Sequence, residues 1–236
     1  MDMPHKLVAI VAAMHVELGP LLGKLRPRQV NSVELFELEG AAIAVGGIGE
    51  KRARVAAKII ADSAQPRFLV SAGIAGAVSP RLKIGDVGRI REVVDVATGE
   101  RYQTQGGEWV LATSQAVSDP AGKQELLTKY GADVVDMEAA AVAQVSKENG
   151  LAFAAVKSVS DDATFPMPPM MEFIGRDGKF ATGRFLVYMA LHPKWWGTLE
   201  KIKSNSRVAS VNLCREIEHL IQEYASPHRQ ESPSLP

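Results

Sequence analysis

The chain has a single cysteine, no net charge and no apolar run long enough to cross a bilayer. Cys214 has no second cysteine to pair with, so an intrachain disulfide is excluded and a reducing compartment is expected. It lies in a helical stretch and reads as a small buried residue. Lys plus Arg and Asp plus Glu balance at 27 each, and no dense basic run occurs, so the electrostatic footprint of a nucleic-acid-binding surface is missing. The N-terminal apolar run, Leu7 to Met14, is broken by His15 and Glu17 and carries no cleavage-type pattern after a basic start. It reads as a buried first strand. A cytoplasmic protein without membrane contact is the expectation. No His/Cys cluster has metal-ligand spacing, no segment makes a phosphate-cradling loop or a dinucleotide fingerprint, and no serine sits in a nucleophile elbow. Neither a metal nor an organic cofactor is expected.

What is present is ordinary for a globular chain: 236 residues, 46% apolar and 23% charged, enough for one sizeable core. Leu7 to Ala13 and Leu151 to Ser160 are continuous apolar runs of the kind found in strands covered on both faces, and Phe68 to Val70 opens another. Val33 to Val45 reads as two short strands turning near Gly40, Trp109 to Thr113 as a strand, and Val134 to Met137 as another. Glu50 to Ser63 has helical spacing, with Val55, Ala56, Ile59 and Ile60 on one face. Pro120 to Tyr130 and the Ala-rich Glu138 to Asn149, ended by Gly150, are further helices. The alternation argues for a single α/β domain built on a doubly wound mixed sheet flanked by helices, spanning residues 1–225. Residues 163 to 182 form a long loop or lid, rich in Pro and Met. Helices from Gly183 and from Lys194 to Tyr224 follow as a C-terminal extension, and the Pro/Ser-rich residues 226–236 read as a disordered tail.

In such folds ligands gather at the carboxyl ends of the strands. After the first strand come Met14, His15 and Glu17; after the Phe68 strand, a glycine-rich turn, Ser71 to Gly76; after the Val134 strand, Asp136, Met137 and Glu138; after the Leu151 strand, Ser160, Asp161 and Asp162. Each has a bland alternative. Asp161 suits a helix N-cap, Glu138 the positive end of its own helix, Glu17 and His15 a solvated rim, and the glycines plain turns. Their joint placement at strand ends is the signal.

Four segments then resemble the purine nucleoside phosphorylase and nucleosidase superfamily: IVAAMHVEL (10–18), VGGIGEKRARVAA (45–57), FLVSAGIAGAVSPRLKIGDV (68–87), and VVDMEAAAVAQV (134–145) with VKSVSDDA (156–163). Among its members, the sequence looks most similar to the methylthioadenosine/S-adenosylhomocysteine nucleosidases and to the relatives acting on hopanoid-linked nucleosides. The resemblance implies cleavage of the N-glycosidic bond of a purine nucleoside. Asp161 matches the aspartate that protonates the leaving base, with partial burial expected to favour its proton-bearing form. Glu138 matches the glutamate that binds the ribose hydroxyls, and Met137 packs by the sugar. Glu17 matches the carboxylate that orients a water nucleophile. Ser160 would help place Asp161, and Gly73 and Ile74 of the Gly-x-Ala-Gly signature would line the substrate. Where phosphorylases carry an arginine and a serine for phosphate, this chain has Ser71 and Ile74, which favours water over phosphate; Arg52, Arg54 or Arg81 are the remaining candidates for a phosphate site.

The resemblance does not extend past about residue 163, and base contacts, which the family takes from between Thr113 and Asp133, are not legible. Phe165, Met167, Met170 and Phe173 could cap an apolar 5′ substituent or pack on the extension's own helices. Trp195-Trp196, beside Lys194 and Lys201, could meet a membrane or partner subunit or pack internally. A homo-oligomer, a dimer or higher, is implied by resemblance alone. Loss of catalysis, leaving a nucleoside-binding protein, is the rival of a different class.

Overall fold

The computed structural model describes residues 7–116, 118–175 and 178–225. The strands are β1 (Val8–Ala12), β2 (Arg28–Val30), β3 (Val33–Glu37), β4 (Ala41–Val45), β5 (Phe68–Ala77), β6 (Val87–Asp95), β7 (Arg101–Gln103), β8 (Trp109–Thr113), β9 (Val134–Asp136) and β10 (Ala152–Asp161). The helices are α1 (Gly19–Leu22), α2 (Glu50–Ala64), α3 (Pro120–Tyr130), α4 (Ala139–Glu148), α5 (Thr182–Leu191) and α6 (Trp196–Ala225). The tail expected beyond residue 225 lies outside the described residues.

All ten strands join one mixed sheet. β5 is its hub, parallel to β1 and β10 and antiparallel to β9. β10 continues antiparallel to β6, which runs parallel to β8, and β8 runs parallel to β9. These pairings close a five-strand circuit, β5–β10–β6–β8–β9, while β1, β4, β3 and β2 spread from it as an open wing. The doubly wound mixed sheet is thus present, with one side rolled shut. The closure brings the ends of β1, β5, β9 and β10 together.

The apolar runs are continuous because both sheet faces are covered. In β1, Ala9 and Val11 join the core under α2 and α4, whereas Val8, Ile10 and Ala12 join the core under α6. This is the two-residue alternation of a pleated strand with two apolar faces. Against β1 and β4, α2 presents Ala53, Ala56, Ala57 and Ile60; small side chains let the helix approach closely. On the other face, α6 buries Leu213, Ile217 and Leu220 against β10 and β5. Each fully buried Ile or Leu contributes roughly 1.5–3 kcal/mol. α3 starts where Asp119 accepts a hydrogen bond from the Gly122 amide (2.7 Å) and Pro120 occupies the first turn; it ends at Gly131, whose φ is +64°.

One expectation needs correction. The segment Ser71 to Gly76 is not a turn: β5 runs on to Ala77, so its glycines sit in extended strand. β6 and β7 were not expected, because Arg89, Arg91 and Glu92 interrupt what would otherwise be an apolar alternation.

Residues 163–175 and 178–181 lie where a loop or lid was expected, with one short turn at Met170–Phe173 and a bridge between Ile174 and Phe180. The Ile48 amide donates to the Gly178 carbonyl (2.8 Å), tying the lid to the Gly46–Gly49 turn. Phe173 packs with Phe180, Phe185 and Tyr188, so it supports the extension itself. Trp195 joins the same cluster; Trp196 is half-exposed and donates its indole N–H to the Met189 carbonyl (2.8 Å). Among the described residues no helix is long and apolar enough to cross a membrane.

Candidate active site

A cleft of about 380 Å³ opens where β1, β5, β9 and β10 end. It is lined by Glu17, Glu138 and Asp161, by Met137, Ile74 and Ser160, and on its outer side by Met167, Met170, Ile174 and Phe180 of the lid and Ile202 of α6. Three carboxylates far apart in the chain therefore converge on one space.

Glu17 follows β1 in a short helical turn and is buried. One oxygen accepts the amides of Ala13 (2.9 Å) and Met14 (2.8 Å); the other accepts the Ile74 amide of β5 (3.2 Å). Burial raises its pKa above the ordinary carboxylate range, against the pull of these amides and of Lys157. A carboxylate so raised is a better proton acceptor near neutrality.

Glu138 stands at the N-terminus of α4. It accepts the Gly49 amide (2.7 Å), where φ of +94° keeps the turn open for that approach, and the Met137 amide (3.2 Å). Burial, then the carboxylates of Asp136 and Glu17, push its pKa to about 8, opposed by Lys157 and the Gly49 amide. Asp136, at the end of β9, accepts the Thr113 hydroxyl (2.8 Å) and the Ala139 amide (3.0 Å).

Lys157 supplies the charge that lets these carboxylates coexist. It is buried in the middle of β10, with its ammonium 2.8 Å from Asp136 and 3.2 Å from the Ser71 hydroxyl. Burial works against the ammonium, but Asp136, Glu138 and Glu17 together hold its pKa above the ordinary value. The sequence carries a signal for this residue: one lysine inside an otherwise apolar buried strand needs counter-ions.

Asp161 closes β10 and is 4% exposed. It accepts the Ser160 hydroxyl (2.8 Å) on one oxygen and the Lys123 ammonium on the other. Lys123, on α3, is 1% exposed and also donates to the Asp162 carbonyl (2.7 Å). Partial burial was expected at Asp161 and is found; the ammonium against it was not expected. Nothing in the pattern of α3 marks Lys123, since a lysine one turn into a helix ordinarily reads as solvated. Asp162 faces solvent and accepts the Thr164 amide (2.9 Å) and hydroxyl (2.8 Å), so only Asp161 enters the cleft.

The two signature glycines of β5 make room for these pairs. A Cβ on Gly73 would stand 2.8 Å from the Glu17 carboxylate, and one on Gly76 would stand 2.8 Å from Asp161 and 3.2 Å from Lys123 Nζ. Gly73 thus supports Glu17 from beneath, while Ile74 and Gly76 reach the cleft. Phe165 is buried and is not among the cleft-lining residues; Met167 and Met170 are. His15 is exposed and paired with Glu34. The arginines weighed for phosphate are held elsewhere: Arg52 by Ser32 and the Gly46 carbonyl, Arg54 by Gln144 and Glu148, Arg81 by Asp133. The cations that line the cleft, among the described residues, are Lys123 and Lys203.

The chain is similar to known proteins in sequence and in fold. A 5′-methylthioadenosine/S-adenosylhomocysteine nucleosidase of Anoxybacillus flavithermus is 26% identical over 227 residues, covering 78% of this chain and 93% of the relative. Among solved structures, the apo 5′-methylthioadenosine nucleosidase of Arabidopsis thaliana superposes with a TM-score of 0.72 at 18% identity, covering 95% of this chain and 98% of that one. The futalosine hydrolase of Helicobacter pylori superposes with a TM-score of 0.70 at 15% identity, covering 92% and 98%. At such identities the structural likeness speaks for the fold. The sequence profile described as the phosphorylase superfamily matches residues 7–121 and 109–181, more than half of the sequence, and the chain belongs to that family.

Proposed function

We propose that the protein is a nucleosidase that hydrolyses the N-glycosidic bond of a purine nucleoside and releases the free base. The carrying observation is the convergence of Glu17, Glu138 and Asp161 on one cleft that no arginine lines among the described residues. Relatives named as nucleosidases support the same reaction. Asp161 delivers a proton to the departing base, which leaves with the electrons of the C1′–N bond. Glu138 accepts the ribose hydroxyls. Those donors replace the water that burial has removed, so binding favours the ionised carboxylate. Glu17, with its raised pKa, takes a proton from the water that attacks C1′. Ser160 holds Asp161, and Met137 and Ile74 lie against the sugar and base.

The outer wall of Met167, Met170, Ile174, Phe180 and Ile202 fits an apolar 5′ substituent. We place the protein in the cytoplasm as a homo-oligomer, with residues 7–225 acting as one unit. Lys203 at the cleft favours a second reading in which phosphate replaces water as nucleophile. The test is a panel of purine nucleosides, with and without a 5′-alkylthio group, assayed with and without inorganic phosphate. Free ribose products at equal rates in both buffers support hydrolysis. Ribose 1-phosphate formed only with phosphate supports the second reading, and no turnover with tight binding identifies a nucleoside-binding protein.

A further inference from the structure

We infer that Lys123 is the positioning residue of the leaving-group acid: it fixes the Asp161 carboxyl in the cleft and supplies the proton that Asp161 passes to the base. The inference rests on the nucleosidase reading of the preceding subsection. It starts from a cost. A lysine with 1% of its surface exposed gives up its hydration, and such burial is retained only where partners offset it. Lys123 has two described partners, the Asp161 carboxylate and the Asp162 carbonyl, the latter at 2.7 Å. Asp161 ends β10 and Asp162 follows it, whereas Lys123 comes from α3, 38 residues before Asp161. The contact is thus a deliberate junction between two elements and not a local helix pair.

The surroundings preserve this junction. Gly76 of β5 leaves no side chain where a Cβ would press on both members, 2.8 Å from Asp161 and 3.2 Å from Lys123 Nζ. Asp119 fixes the first turn of α3, one turn before Lys123, by accepting the Gly122 amide. Lys123 and Asp161 both line the cleft, so the pair meets the substrate space directly. Lys157 holds a comparable place beneath Glu17 and Asp136, with its own glycine, Gly73, alongside. The site therefore has two carboxylate–ammonium pairs, one on the side of the sugar and one on the side of the leaving base.

The proton path balances. An ammonium proton of Lys123 moves to Asp161, giving a neutral amine and carboxylic acid. The acid passes a proton to a base nitrogen as the C1′–N electrons move onto the ring. Water adds its hydroxyl to C1′ and its proton goes to Glu17; exchange with solvent then takes that proton from Glu17 and returns one to Lys123. The net reaction is nucleoside plus water giving base plus ribose.

The test compares two substrates, 5′-methylthioadenosine, whose base needs a proton to leave, and 4-nitrophenyl ribofuranoside, whose phenolate leaves without one. Lys123→Met is expected to lower kcat on the purine nucleoside by at least about 100-fold with KM within about threefold, the scale of a lost general acid, and to change the nitrophenyl substrate less than about tenfold. The pH profile of kcat on the purine substrate should change shape, which a packing defect would not produce. Gly76→Ala keeps both charged groups but crowds them, and should show the same substrate split if Lys123→Met does not fold. Equal losses on both substrates, or unchanged purine turnover, would overturn the inference. Wild-type protein that cleaves neither compound would instead overturn the nucleosidase reading, and the lysine's role with it.

Discussion

Replacing Glu138 by Gln should make the protein more stable at pH 8 and leave it nearly unchanged at pH 5. In the folded state, burial and the neighbouring Asp136 and Glu17 carboxylates push Glu138 to about 8, against an ordinary value of 4.5. Between those values the folded protein binds a proton that the unfolded chain has released. Stability must then fall as pH rises, by up to about 1.4 kcal/mol per pH unit for this one group. Over the whole gap the limit is about 5 kcal/mol, and roughly half that once cleft water solvates the ionised carboxylate. Glutamine keeps the shape and still accepts the Gly49 amide through its carbonyl, but it has no proton to lose. Urea unfolding at pH 5, 6, 7 and 8, followed by the fluorescence of Trp109, Trp195 and Trp196, gives the two stability curves. Wild type should decline relative to Glu138→Gln across this range, with the variant ahead by about 2 kcal/mol or more at pH 8. Parallel curves would refute the reasoning, because they would mean that Glu138 titrates alike in both states.

Lys157→Met removes the cation shared by Glu17, Asp136 and Glu138, and should destabilise the fold by about 3–5 kcal/mol at pH 7, measured by the same unfolding experiment. Glu17→Gln should lower kcat by about 10²–10⁴ in steady-state assays while KM moves little, since it removes the group proposed to take the water's proton. Met170→Lys puts a charge on the apolar outer wall; KM for a 5′-alkylthio nucleoside should rise at least about tenfold, and that for a nucleoside with a free 5′-hydroxyl much less.

The strands that carry the site were legible because burial on both faces leaves a mark that periodicity can read. LVAIVAA has no polar interruption and LAFAAVKSVS none before Lys157, and they became β1 and β10 within a residue or two. The carboxylates followed from these strands, since Glu17, Glu138 and Asp161 sit just where β1, β9 and β10 stop. β6 escaped notice because its Arg89 reaches across to Glu216 and Glu223 of α6, a tertiary pairing that a strand pattern cannot contain. The glycines of β5 looked like a turn because glycine more often marks one; here they clear space for Glu17 and Asp161. Lys123 and Lys157 were harder, for a common reason. A lysine's environment is set by what folds around it: Lys123 of α3 owes its burial to Asp161 at the end of β10, and Lys157 of β10 owes its burial to Asp136 at the end of β9. Of the four residues read as possible covers for a substrate, Phe165 and Phe173 are buried and do not line the cleft, whereas Met167 and Met170 do.

The most direct measurement is adenine release from 5′-methylthioadenosine in phosphate-free buffer by the wild type and by Asp161→Asn, with circular dichroism to establish that both are folded. Wild type should release base together with free 5-methylthioribose, and Asp161→Asn should be slower by at least about 10³-fold, because an amide cannot give the base its proton. Turnover by the folded variant at the wild-type rate would contradict the assignment of Asp161 as the acid that lets the base depart.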